Sequence, residues 1–181
     1  MDIKLENHVL LGIKSSKSDR LYGRAVDIGI MFVLSLSFMI YFLINTTSID
    51  AFRSELSSHI YIFIIITFLL EVILPILLHG QSFGKKMVGT LIINKNGLPA
   101  SNKDLLKRGT YRTLIYALSQ LAIVEIFVFV LGIGSLVLLF QSEYTQMIHD
   151  FIANTLVVNK EKYHQKQTFY QDKHIPEVGV L

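Results

Sequence analysis

The sequence predicts an all-α membrane protein: a small helical bundle of about four membrane segments with a short cytoplasmic β-strand pair. Three observations predict it. Hydrophobic residues make up 51% of 181 residues and charged ones 17%, with a mean hydropathy of +0.48, well above soluble domains. Apolar runs long enough to cross a bilayer recur along the chain. Two short β-branched segments, far apart in sequence, share one pattern.

The first apolar run, Val26 to Ile44, and the second, Ile60 to Leu78, each approach the roughly 20 residues a spanning helix needs. Glu71 and Pro75 interrupt the second, and a membrane helix tolerates such a proline as a kink. The third region, Thr113 to Phe140, is too long for one upright crossing and reads as a hairpin. Its turn is expected either at Ala122 to Glu125 or at Gly132 to Gly134. A helix leading into it opens at Ser101-Asn102-Lys103-Asp104, which has capping-box spacing. Lys107, Arg108 and Arg112 on that helix are expected to snorkel to the headgroups.

Lys and Arg set the orientation. Five precede the first span (Lys4, Lys14, Lys17, Arg20, Arg24), Arg53 stands alone in the first connection, and seven lie between Lys85 and Arg112. By the positive-inside rule the N-terminus and the second connection are cytoplasmic. Gly89-Thr90-Leu91-Ile92-Ile93-Asn94-Lys95 is similar to Asn154-Thr155-Leu156-Val157-Val158-Asn159-Lys160, and pairing two such strands needs both on one side of the membrane. The number of crossings is therefore even. Residues 1–160 form the membrane domain, and 161–181 read as a polar, mobile cytoplasmic tail.

Several functions are disfavoured. The net charge of +3 sits beside apolar runs rather than on one polar face, so it reads as positive-inside charge and not as a nucleic-acid footprint. With no cysteine there is no disulfide, thiol nucleophile or thiolate metal site. His164 and His174 lack metal-pair spacing, so no metal or cofactor is expected. Gly80-Gln81-Ser82-Phe83-Gly84-Lys85-Lys86 fails the spacing of a phosphate loop. It reads as a glycine-permitted turn that ends the second span and brings Lys85 and Lys86 to the anionic inner leaflet. His149-Asp150 has no recognisable nucleophile to serve, so an enzyme is not expected.

Ionisable residues at membrane depth carry the functional signal, because a charge there costs a few kcal/mol or more. Arg20, Arg24 and Asp27 share one helical face, which makes an Arg20–Asp27 ion pair easy to form. Glu71, near the middle of the second span, is placed to bind or relay a proton or cation. Asp150, beyond the last apolar region, is positioned to face Arg20.

Three motifs in order resemble the RDD family of bacterial membrane proteins. Arg20-Leu21-Tyr22-Gly23-Arg24-Ala25-Val26-Asp27 is similar to that family's arginine and first aspartate, seven positions apart at the start of the first span. Gly80 to Gly89 resembles its G-Q-T-x-G-K-x-x-x-G segment, with Ser82 in place of threonine. Gln146 to Asp150 with Ala153 to Val158 resembles its closing aspartate and strand, with Asn154 where glycine is common. The resemblance implies that Arg20, Asp27 and Asp150 are the namesake trio and that the chain is a multi-pass protein of the bacterial cytoplasmic membrane. It also implies transport. On this reading Glu71 and Asp27 move a cation or a proton-coupled small solute behind a gate of Arg20 and Asp150, with the lipid bilayer as surroundings and a homodimer enclosing the pathway. The alternative is a non-catalytic membrane subunit that anchors or assembles a partner protein.

Overall fold

The computed structural model describes residues 7–45, 60–120 and 125–173. In chain order the elements are α1 (Asn7–Ile13), α2 (Lys17–Asn45), α3 (Ile60–Leu77), α4 (Phe83–Met87), β1 (Thr90–Asn94), α5 (Asn102–Leu118), α6 (Glu125–Gln141), α7 (Ile148–Ala153), β2 (Thr155–Asn159) and α8 (Lys160–Lys173). Among the described residues, two helices, α2 and α3, are long and apolar enough to cross a membrane. The third apolar region is two helices of 17 residues each. Its break falls between Leu118 and Glu125, with 121–124 outside the described residues. Helix α6 runs unbroken through Gly132 and Gly134, so the glycine pair makes no turn. The first connection, with Arg53, also lies outside the described residues.

The expected capping box opens α5: Ser101 Oγ accepts from Asp104 N–H at 3.2 Å, and Asp104 Oδ2 accepts from Ser101 N–H at 3.1 Å. In α3 the residues Leu69–Ile73 form a π turn. Pro75 has no N–H to offer the Glu71 carbonyl, and the helix widens just before it, with Leu74 N–H reaching back to Leu69 O. That widening presents Glu71 to the interior. Gly109 of α5 packs on the Glu71 carbonyl so closely that a Cβ would overlap it.

Strands β1 and β2 pair antiparallel, with Leu91 opposite Val158, Ile92 opposite Val157 and Ile93 opposite Leu156. The repeated sequence pattern is thus a strand pair. Both faces are covered, which explains why each strand reads as continuously apolar. Val9, Leu10 and Ile13 of α1 and Tyr163 of α8 pack with Leu91, Ile93, Leu156 and Val158, while Leu105 of α5 packs with Ile92 and Val157 on the other side.

Two expectations near the termini change. The stretch before Lys17 carries α1, whose apolar residues were not read as an element. The stretch after Lys160, read as a mobile tail, is helical to Lys173. Tyr163 is 3% exposed and its hydroxyl donates to Gly97 O at 3.1 Å, which anchors α8 to the sheet.

The membrane half is organised differently. The buried residues of α2 are Arg20, Gly23, Asp27 and Met31, a stripe along its first half, whereas Phe32, Val33, Leu43 and Ile44 are exposed. Apolar side chains face outward and charges face inward, as lipid surroundings require.

Strand pairing makes a prediction about sidedness in this cysteine-free chain. Single cysteines at Ser101 and Gln165 should react with a membrane-impermeant maleimide from the same side of sealed vesicles, and one at Ser57 from the opposite side. Labelling of Ser101→Cys and Gln165→Cys from opposite sides would break the pairing.

Candidate functional site

Two segments of like construction deliver residues to the interior. In the first, Gly80 has φ +89°, Gln81 Nε2 donates to Thr90 O at 2.8 Å, α4 follows, and Gly89 (φ +64°) leads into β1. In the second, Thr145 has φ +54°, Gln146 Nε2 donates to Thr155 O at 2.8 Å, α7 follows, and Asn154 (φ +54°) leads into β2. The first sets Lys85 at the centre and the second sets Asp150. Gly80 makes the expected turn after α3. Gly84 does not: it lies inside α4, pressed on the Gly23 carbonyl of α2 where any Cβ would overlap backbone.

Helices α2 and α5 each contribute two arginines spaced by four, Arg20 and Arg24 on one, Arg108 and Arg112 on the other. The first of each pair meets Asp150 and the second meets Glu71. Arg20 donates from Nη2 to Asp150 Oδ2 and from Nη1 to Thr145 O. Arg108 Nη2 lies 2.8 Å from Asp150 Oδ1. Arg24 Nη1 donates to Glu71 Oε1 at 2.5 Å, its Nη2 donates to the Tyr116 hydroxyl, and Arg112 Nη1 lies 2.7 Å from Glu71 Oε2. Each carboxylate therefore clamps α2 to α5.

Asp27 stands apart from these two. The expected Arg20–Asp27 pair is not formed, because Arg20 turns to Asp150 and the α2–α4 contact gives Asp27 other donors. Its Oδ1 accepts from Gly84 N–H at 2.8 Å and its Oδ2 from Ser82 Oγ at 2.6 Å, with Lys85 Nζ at 4.0 Å. Lys85 is thus buried, 9% exposed, rather than delivered to headgroups; its neighbour Lys86 is exposed. Arg108 and Arg112, expected to snorkel, are 4% and 6% exposed.

The electrostatics follow from these contacts. Burial opposes ionisation of Asp150, but Arg108, Arg20 and the Met147 N–H, 3.1 Å away, outweigh it and hold the carboxyl well below the usual carboxylate range. Burial, reinforced by Arg108, pushes Lys85 down to about 8. Burial also keeps the His149 imidazole neutral, well below its usual range. Since a guanidinium only donates, His149 Nε2, 3.1 Å from Arg108 Nη2, accepts, and the ring proton is on Nδ1.

The balance is uneven. Among the described residues the ion pairs gather five cationic side chains (Arg20, Arg24, Lys85, Arg108, Arg112) against three carboxylates, and a fourth carboxylate, Asp19, lines the cavity between them. Nε and Nη1 of Arg108 and Nε and Nη2 of Arg112 are buried with no acceptor among the described residues, and Glu71 Oε2 and Asp150 Oδ1, although each lies against an arginine, make no hydrogen bond. Arg20, Arg24, Lys85, Arg108, Arg112 and His149 all line a cavity of about 20 Å³, room for one water-sized group. Among the described residues no three His, Asp or Glu side chains gather as metal ligands.

Of the expected cluster of Arg20, Asp27 and Asp150, the structure joins Arg20 to Asp150 and turns Asp27 to Ser82 and Gly84, while Glu71 meets Arg24 and Arg112 and Tyr116 joins Arg24. A signal for Arg24, Arg108 and Arg112 was present: the four-residue spacing in both helices.

Removing one carboxylate strands two guanidinium groups. Asp150→Asn should lower stability in detergent by about 3–5 kcal/mol, the usual cost of breaking a buried pair from one side. Arg20→Lys should not substitute for the wild-type fork, and Asp150→Asn with Arg20→Gln should recover part of the loss in thermal unfolding. Strictly additive losses would show that the two are not coupled.

No curated protein and no solved structure matches the chain. The model of the RDD family matches residues 15–154, the stretch from just before Arg20 to just past Asp150, and with two apolar helices it marks a membrane protein: the chain belongs to the RDD family.

Proposed function

We propose that this chain is a small membrane transport protein, or the transporting subunit of one, and that its buried site takes an anionic solute. The observation that carries the reading is the set of buried Arg108 and Arg112 donors that lack acceptors, in a site where five cationic side chains meet four carboxylates. A buried charge is ordinarily paired, and an anion supplies both the charge and the acceptors. A bare-cation site fits less well, because Glu71 and Asp150 are each held by two arginines and Asp27 by Ser82, Gly84 and Lys85. Of the expected cargoes, the proton-coupled small solute is the one this site favours. The proposal involves no bond-making chemistry, since His149 Nε2 is engaged by Arg108.

Topology completes the proposal. Strand pairing returns the chain to one face, so α5 and α6 are read as a re-entering pair that brings the membrane segments to four. The basic N-terminal and second connections support a cytoplasmic position for that face, and a second copy would enclose a pathway between exposed apolar helices.

Flux in reconstituted liposomes tests this. Uptake should follow an imposed gradient of chloride, acetate or phosphate and should fall as pH rises through about 8, where Lys85 loses its charge and the site loses one of its cations. Lys85→Arg should flatten that dependence. Na⁺ or K⁺ flux independent of the anion would overturn the reading, and co-elution with one stoichiometric partner without flux would favour the anchoring role.

A further inference from the structure

A second cavity, about 450 Å³, lies between α2, α5 and α6, and Arg24, Arg112, Met147 and His149 form a wall it shares with the small cationic cavity. Away from that wall it is mostly apolar, with Leu21, Ile28, Ile115, Val128, Leu131 and Leu136 along its length. A ligand that uses both must be charged at one end and apolar for the rest. We propose that the ligand of the arginine cluster is a single-chain anionic amphiphile from the bilayer, with its carboxylate or phosphate at Arg24 and Arg112 and its alkyl chain in this groove. The proposal rests on the anion reading above and specifies the class of anion.

The cluster accounts for the head of that occupant and the groove for its chain. The cluster supplies unpaired donors: Arg112 is 6% exposed, and its Nε and Nη2 have no acceptor among the described residues. A guanidinium fork matches the paired oxygens of a carboxylate or phosphate. The groove volume sits at the lower end of the roughly 300–1,000 Å³ typical of ligand pockets, which suits one chain. An inorganic ion would gain nothing from it. The walls also belong to helices whose outer faces are apolar, Phe32 on α2 and Phe129 on α6, so the groove lies where acyl chains are the surrounding solvent. At Gly132, on the α6 wall, a Cβ would meet no atom within 4 Å, so the space beside it is open.

Binding to the full chain in phosphatidylcholine nanodiscs, with empty discs subtracted, separates the possibilities. Dodecyl phosphate and laurate should bind at least 100-fold more tightly than inorganic phosphate and acetate, and dodecanol should not displace them. Gly132→Leu, which fills the groove without touching a charge, should lower the ratio of dodecyl phosphate to inorganic phosphate affinity at least tenfold; Ser135→Leu, on the same wall, serves if that variant does not fold. Equal affinity for dodecyl phosphate and inorganic phosphate would overturn the amphiphile and leave the anion reading standing. Displacement by dodecanol would overturn it by removing the role of charge, and binding of neither phosphate would overturn both.

Discussion

Glu71 and Asp150 each accept one arginine from α2 and one from α5, so neither helix can shift without stranding charge in a low-dielectric interior. Two unit charges 4 Å apart attract by about 4 kcal/mol at an effective dielectric of 20. Desolvating each ion costs several kcal/mol. The two terms are of similar size, so the network adds little net stability while making any other arrangement expensive. Its role is geometric: it fixes which residues face inward.

Other features of the membrane half serve that arrangement. The π turn before Pro75 rotates Glu71 toward α5, and Gly109 lets α5 approach the Glu71 carbonyl. Gly84 lets α4 lie against Gly23, and only at that distance can the Gly84 N–H and Ser82 hydroxyl satisfy Asp27. Asp27 is then free of Arg20, which in turn is free to reach Asp150. The two Gln-to-Thr segments hold α4 and α7 at matching positions against the strand pair, and the sheet therefore sets the separation of Lys85 and Asp150.

Much of this was legible in the sequence, and the rest was hidden for identifiable reasons. The strand pair was readable because its two segments are nearly the same sequence, and the capping box at Ser101 because it is a local motif. Arg20 facing Asp150 followed from an even number of crossings. The partner of Asp27 did not, because helical spacing shows which residues can meet within α2 and says nothing of α4, 55 residues on. Arg108 and Arg112 differ from the expectation for a related reason: an arginine near a membrane helix end can snorkel or turn inward, and the positions of Asp150 on α7 and Glu71 on α3 decide. Helix α8 carries no apolar stripe, and it docks through buried Tyr163 with Gln167 and Lys160 beside it, residues that periodicity does not single out.

Buried arginine donors that lack acceptors bear on stability as well as on binding. A ligand that binds only the folded state stabilises it by RT ln(1 + [L]/Kd), about 2.7 kcal/mol at a hundredfold excess over Kd, so an anion at Arg108 and Arg112 would also hold α2, α3 and α5 together. Such an occupant is easily captured and hard to release. Asp150 stays ionised beside the guanidinium groups, so it offers no means of weakening the site. Lys85, with its charge changing near pH 8, does offer one, because its Nζ reaches Ser82 Oγ at 3.1 Å and faces Asp27 on α2, across the centre of the cluster. Loss of that proton would leave the Asp27 charge less compensated and repel a neighbouring anion. On the transport reading proposed above, the proton and the anion would then occupy the site together and leave it together.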